Sequence, residues 1–158
     1  MLLLSISKSV YIFLHFYNGG EFANFIKNKK HIEEKHAARI TEQLLKGLIE
    51  LHKKKLVHRD LKPANILLHF EWMDPSKSIS KSFYKTWDYN KQNWFTVIVA
   101  DLGIGREWDL EMTQGAGTPL YMAPEVNDKS EYNYKIDVYS LGIIVYEMLF
   151  GEPLFTSK

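Results

Sequence analysis

Residues 137–150 constrain the fold of this 158-residue chain more tightly than any other stretch. Val138, Leu141, Ile143, Ile144, Val145, Met148, Leu149 and Phe150 lie around nearly the whole circumference of a helix, with no polar face left to meet water. A helix of that kind needs neighbours on every side, so the chain must build a core around it. With 46% hydrophobic and 25% charged residues, the composition is that of an ordinary globular domain with a substantial core.

A second helix is predicted from about Glu33 to Lys54, where Ala37, Ile40, Leu44, Leu48 and Leu51 recur at three- and four-residue steps. Glu33 and Glu34 fall in its first turn and Lys53, Lys54 and Lys55 in its last, each sign matching the helix dipole. That placement accounts for the lysine run, and a net charge of +1 gives no electrostatic case for nucleic acid as a partner. Leu2–Ile6 and Val10–Phe16 read as strands, Asn18-Gly19-Gly20 as a turn, and Glu21–Lys29 as a short helix. Leu56–Val57, Ile66–Leu68 and Thr96–Ala100 read as further short strands. The first seventeen residues lack a basic leader and are too short and interrupted to span a bilayer, so no membrane span is expected. The absence of cysteine excludes disulfides and thiolate-bound metal, and fits an intracellular, cytoplasmic address.

Two segments carry chemistry. His58-Arg59-Asp60-Leu61-Lys62-Pro63-Ala64-Asn65 places a carboxylate, a cation and an amide within one loop, and Asp101-Leu102-Gly103 follows a strand that delivers a second carboxylate. Phosphoryl transfer asks a protein mainly for positioning and charge compensation, and these residue types suit it. Asp60 would accept a hydroxyl proton, Lys62 would sit against developing phosphate charge, and Asn65 and Asp101 would offer the oxygen ligands that Mg2+ prefers. Met alone, the first segment would read as a helix-end ion pair and the second as a turn.

Together they resemble the H-R-D-L-x-x-x-N and D-F-G signatures of the protein kinase family. Three further blocks extend the resemblance in the right order: Tyr11–Glu21 as last small-lobe strand and hinge, Gly117–Glu125 as the substrate-docking segment, and Asp137–Gly142 as the start of the central helix. The resemblance implies an α+β, protein-kinase-like fold, mostly the helical large lobe with a remnant of the small-lobe β-sheet. It divides the chain into small-lobe strands and hinge at 1–17 and large lobe at 18–158. Residues 69–95 then stand as an insertion where the family has a brief hairpin. Within it, Ser76–Ser82 is polar and expected to be mobile. Phe70, Trp72, Phe83, Tyr84, Trp87, Tyr89, Trp94 and Phe95 would either pack on the lobe or form a docking surface for a protein partner.

By resemblance, Asp60 is the catalytic base, Lys62 the phosphate-facing cation, and Asn65 and Asp101 the Mg2+ ligands. Leu14 falls at the gatekeeper position, and His15, Phe16 and Tyr17 form the hinge that would bind the adenine of ATP. Phe22 and Leu67 fall where apolar side chains sandwich that ring. Glu21 follows the hinge, where it would meet a basic residue of a peptide or cap the next helix. Lys62 and Thr118 imply serine/threonine specificity, hence a protein substrate with a Ser or Thr acceptor. Arg59 would grip a phosphate on the activation segment, with Thr113 as acceptor, unless Glu107, Asp109 and Glu111 substitute for it.

Leu102 replaces the usual phenylalanine, a change that still fills an apolar slot. No G-x-G-x-x-G ahead of a strand and no V-A-I-K-type lysine occur, nor the late arginine that pairs with Glu125 in the family. The resemblance therefore implies the middle of a kinase domain, cut at both ends, with little or no activity expected of this polypeptide alone. The alternative is a non-catalytic kinase-like interaction module or decoy.

Overall fold

The computed structural model describes residues 2–6, 9–74, 76–77, 79–80, 83–88, 94–102, 105–107, 117–126 and 132–156. Strands β1 (Leu2–Ile6) and β2 (Ser9–Phe13) form an antiparallel hairpin whose register pairs Leu2 with Phe13. In that register β2 ends at Phe13, short of the predicted Phe16, and residues 14–17 continue as irregular chain.

The turn at residues 18–19 leads into β3 (Gly20–Glu21) and α1 (Phe22–Lys29). Phe22, Phe25 and Ile26 share one face of α1 and are almost fully buried, each contributing roughly 1.5–3 kcal/mol by leaving water. Helix α2 (Glu34–Lys53) follows, with Ala37, Ile40, Leu44 and Leu48 turned into the same core, as their spacing predicts. A short strand β4 (Leu56–Val57) pairs antiparallel with β7 (Arg106–Glu107). A three-stranded antiparallel sheet forms from β3, β5 (Ile66–His69) and β6 (Thr96–Val99), with β5 in the centre.

Helix α4 (Lys135–Phe150) packs on α2 and stops at Gly151, whose left-handed backbone (φ 76°) lets its N–H return to Glu147 O at 2.8 Å. Ile136, Leu141, Ile143, Ile144 and Met148 are buried. The expected cover on every side is met on one side only, since Val138 and Phe150 are 49% and 62% exposed. No helix among the described residues is long and apolar enough to cross a membrane.

The described residues of 69–95 pack on the lobe. Phe70, Tyr84 and Phe95 are buried in the core, and Phe83 and Trp87 pack against it around the short helix α3 (Phe83–Thr86). Trp72 stays 44% exposed, and Tyr89 lies outside the described residues, as does much of Ser76–Ser82.

Candidate active site

The loop after β4 is held from below by α4. Asp137, at the start of that helix, is fully buried, and its carboxylate accepts three hydrogen bonds. The backbone N–H groups of His58 and Arg59 donate to its two oxygens, each at 3.0 Å, and His52 Nε2 donates at 2.8 Å. A carboxylate out of water needs such donors, and here the donors are the loop itself. Arg59 is buried and sits at φ 73°, a conformation uncommon outside glycine, so Asp137 holds the chain in a turn it would not choose freely.

His58 ties this loop to the second motif. Its Nε2 faces the Ala100 carbonyl at 2.9 Å, which can only accept, so Nε2 carries the proton. Nδ1 is then an acceptor, and the Asp60 N–H points to it at 3.3 Å. Ala100 N–H donates to Asn65 O at 2.9 Å. Both ends of the 58–65 loop thus grip the residue just before Asp101. Asp101 itself adopts φ 61° and is exposed.

Asp60 lies at the centre of a closed polar cluster. Lys62 Nζ reaches Asp60 Oδ2 and Thr118 Oγ1, both at 2.7 Å, and Thr118 Oγ1 donates to Asp60 Oδ1 at 2.6 Å. Asn65 Nδ2 donates to Asp60 Oδ2 at 3.0 Å and to its backbone carbonyl at 2.9 Å, within a 3-10 turn at Pro63–Asn65. Partial burial alone would raise the Asp60 carboxyl, but the hydrogen bonds from Lys62 and Thr118, the Lys62 charge and the Asn65 bond outweigh it. The group is held below the usual carboxylate range and is ionised at neutral pH. Thr118 reaches it because Gly117 lies against the loop at φ 127°, where a Cβ would come within 2.7 Å of Arg59 O.

The segment after Thr118 is fastened to the same helix. Ser140 Oγ donates to Tyr121 O at 2.8 Å, and Tyr121 Oη donates to Glu147 Oε2 at 2.7 Å. Burial pushes both the Glu147 carboxyl and the Tyr121 hydroxyl upward from their ordinary values. Asp137, Ser140 and Glu147 fall three, then seven residues apart, on one stripe of α4.

The remaining expected residues are dispersed. Leu14 and Phe16 are 72% and 53% exposed, and His15 is exposed. The rings of His15, Tyr17 and His69 gather at centroid separations of 5.0–5.9 Å. Glu21 is exposed and pairs through its backbone with the half-buried Leu67. Phe22 is fully buried and stacked on Phe25, so it supports this region from inside the core and has no face open to a ligand. Thr113, Asp109 and Glu111 lie outside the described residues.

Sequence reasoning missed Asp137, His52, His58 and Ala100 as the scaffold of the loop. One signal was available: an acidic residue opening an otherwise apolar helix must find donors when buried. The backbone role of Ala100 carries no side-chain signature.

The donor set suits Mg2+. Asn65 uses its Nδ2 on Asp60, and Asp101 adds an exposed side chain. Among the described residues no group of three or more His, Cys, Asp or Glu side chains could hold a metal. A sparse oxygen pair is what Mg2+ uses when phosphate and water complete its shell.

Comparison with known proteins agrees with this geometry. Residues 3–158 match the family model described as protein kinase domain. The chain is 35% identical over 155 residues to human serine/threonine-protein kinase ULK3, covering 96% of this chain and 28% of that protein. It is 34% identical to serine/threonine-protein kinase atg1 of Dictyostelium discoideum, over 94% of this chain and 20% of the relative. DNA damage response protein kinase DUN1 of Saccharomyces cerevisiae is 34% identical over 97% of this chain and 30% of its own length. The chain therefore spans less than a third of these relatives. With the fold, the loop and the match over nearly every residue in agreement, the chain belongs to the protein kinase family.

Proposed function

We propose that this chain carries the phosphoryl-transfer centre of a protein serine/threonine kinase, moving the γ-phosphate of ATP to Ser or Thr hydroxyls of proteins. The observation that carries the reading is the closed cluster of Asp60, Lys62, Thr118 and Asn65, locked through Ala100 to Asp101. Asp60, kept ionised, accepts the proton as the substrate oxygen bonds to the γ-phosphorus and the bond to the bridging oxygen of the diphosphate breaks. Lys62 places its cation beside that carboxylate, where charge on the transferring group develops. Asn65 and Asp101 would hold Mg2+, which neutralises phosphate charge when bound. The backbone of residues 15–17 would bind adenine, with Leu14 at the gatekeeper position and Leu67 against the ring, backed by the buried Phe22. Glu21, which is exposed, would meet a basic residue of the peptide. Arg59 would pair with a phosphate on Thr113.

The test is transfer of labelled phosphate from ATP to a protein substrate by the full-length protein, with Asp60→Asn as control. The expected result is Ser/Thr labelling that falls by roughly 10²- to 10⁴-fold in the variant. Nucleotide binding without transfer, equal in both proteins, would favour a non-catalytic interaction module.

A further inference from the structure

Phe70, Ile79 and Tyr84, from the described residues of 69–95, close over the turn at residues 18–19. Asn18 is fully buried, and its side chain bridges both backbone groups of Phe70, Nδ2 donating to Phe70 O at 3.0 Å and Oδ1 accepting from Phe70 N at 2.8 Å. Its own carbonyl accepts from Ile79 N–H at 3.0 Å. Gly19 N–H donates to Leu68 O at 2.9 Å, and the Gly19 carbonyl accepts from the Tyr84 hydroxyl. Gly19 is held so close that a Cβ would stand 2.5 Å from Leu68 O. Four of these five bonds involve the insertion: two to Phe70 at its start, then Ile79 to one turn carbonyl and Tyr84 to the next.

The Tyr84 hydroxyl is aimed by its surroundings. Its ring is buried and meets Phe25 edge-on at 5.5 Å, so the insertion is keyed into α1. Just past the short helix α3, Trp87 stacks with Phe83 at 5.9 Å, and Lys29 from α1 donates to the Trp87 carbonyl. Burial drives the Tyr84 hydroxyl upward, so at neutral pH it remains a donor.

We propose that Tyr84 is a positioning residue for nucleotide: through the Gly19 carbonyl it fixes the downstream end of the adenine-binding segment at residues 15–17. This rests on the kinase reading above. Adenine recognition by backbone groups depends on the orientation of successive peptide planes, and the Gly19–Gly20 plane, whose N–H reaches Tyr17 O at 3.4 Å, is fixed at both ends only when its carbonyl also has a donor. In this chain the insertion supplies that donor.

The experiment compares full-length wild type with Tyr84→Phe, which keeps the ring and removes the hydroxyl. Losing one hydrogen bond of ordinary net strength is expected to raise KM for ATP about 3- to 10-fold. kcat should stay within about two-fold and KM for the protein substrate should be unchanged. Adenosine alone should weaken by the same factor, because the effect is at the hinge and not at the phosphates. Trp72→Ala, an exposed ring of the same insertion, should leave KM for ATP at the wild-type value. A purely structural role predicts otherwise: a lower melting temperature and a smaller active fraction with KM for ATP unmoved. That result in an active enzyme overturns the positioning role while leaving the kinase reading intact. A wild type that neither transfers phosphate nor binds adenosine overturns both.

Discussion

Asp137→Ala tests how the catalytic loop is held. The carboxylate is 1% exposed and accepts from two backbone N–H groups at 3.0 Å and from His52 at 2.8 Å. Alanine removes every acceptor at once, and neither His58 N–H nor Arg59 N–H has water within reach at that depth. Each stranded donor costs about 1–3 kcal/mol, so the two together cost about 2–6 kcal/mol. Against a typical domain stability of about 5–15 kcal/mol, that is a large fraction. Asp137→Asn keeps one acceptor oxygen but turns an NH2 toward the other N–H, so roughly half that loss is expected. The assay is denaturant unfolding of the full-length protein, with phosphate transfer measured per folded molecule. The Asn variant should fold and still lose transfer at least ten-fold, because the turn carrying Asp60 is no longer pinned. A loss below about 1 kcal/mol for Asp137→Ala, with an unchanged denaturant slope, would refute the reasoning.

Two further outcomes follow from α4. The Glu147 carboxyl is raised in the fold by burial, so its contribution is fully present below its unfolded value of about pH 4.3 and is lost as pH rises through the raised value. Glu147→Gln keeps an acceptor for the Tyr121 hydroxyl and removes the titration, so its stability relative to wild type should be flat near pH 4 and improve toward pH 8. A difference independent of pH over that range would count against a buried, destabilised carboxylate. Gly142 lies within α4 with nothing within 4 Å of where a Cβ would sit, so Gly142→Ala should stabilise by about 0.5–1 kcal/mol in thermal unfolding. Destabilisation instead would mean that this exposed face is packed in solution.

Much of this was legible beforehand, for identifiable reasons. Helix α2 came out within a residue of its predicted ends because its apolar spacing and its end charges agree. Asp60, Lys62 and Asn65 were expected together and are together, since a single loop carries all three. Thr118 was read only as a sign of specificity, whereas the structure makes it a bridge between Lys62 and Asp60. That bridge needs the close approach at Gly117, a tertiary fact with no local pattern. The aromatic residues of 69–95 left packing and docking both open, because ring density looks the same in either case. Burial of Phe70, Tyr84 and Phe95 places those three in packing. The end of β2 was misplaced because strand propensity runs on to Phe16 while pairing stops at Phe13.

The polar stripe on α4 has a consequence for how errors propagate through the site. Asp137 fixes the loop that bears Asp60, while Ser140 and then Glu147, about 15 Å beyond Asp137 along the rod, fix Tyr121 in the segment after Thr118. The spacing between that loop and that segment is therefore set by the helix as well as by the direct bond from Thr118 to Asp60. Loops drift independently; a helix does not stretch. Thermal motion that tilts α4 carries loop and segment together and leaves their separation unchanged. A kink between residues 140 and 147 would instead pull the Tyr121 hydroxyl against its own backbone, because Ser140 holds the carbonyl and Glu147 the hydroxyl.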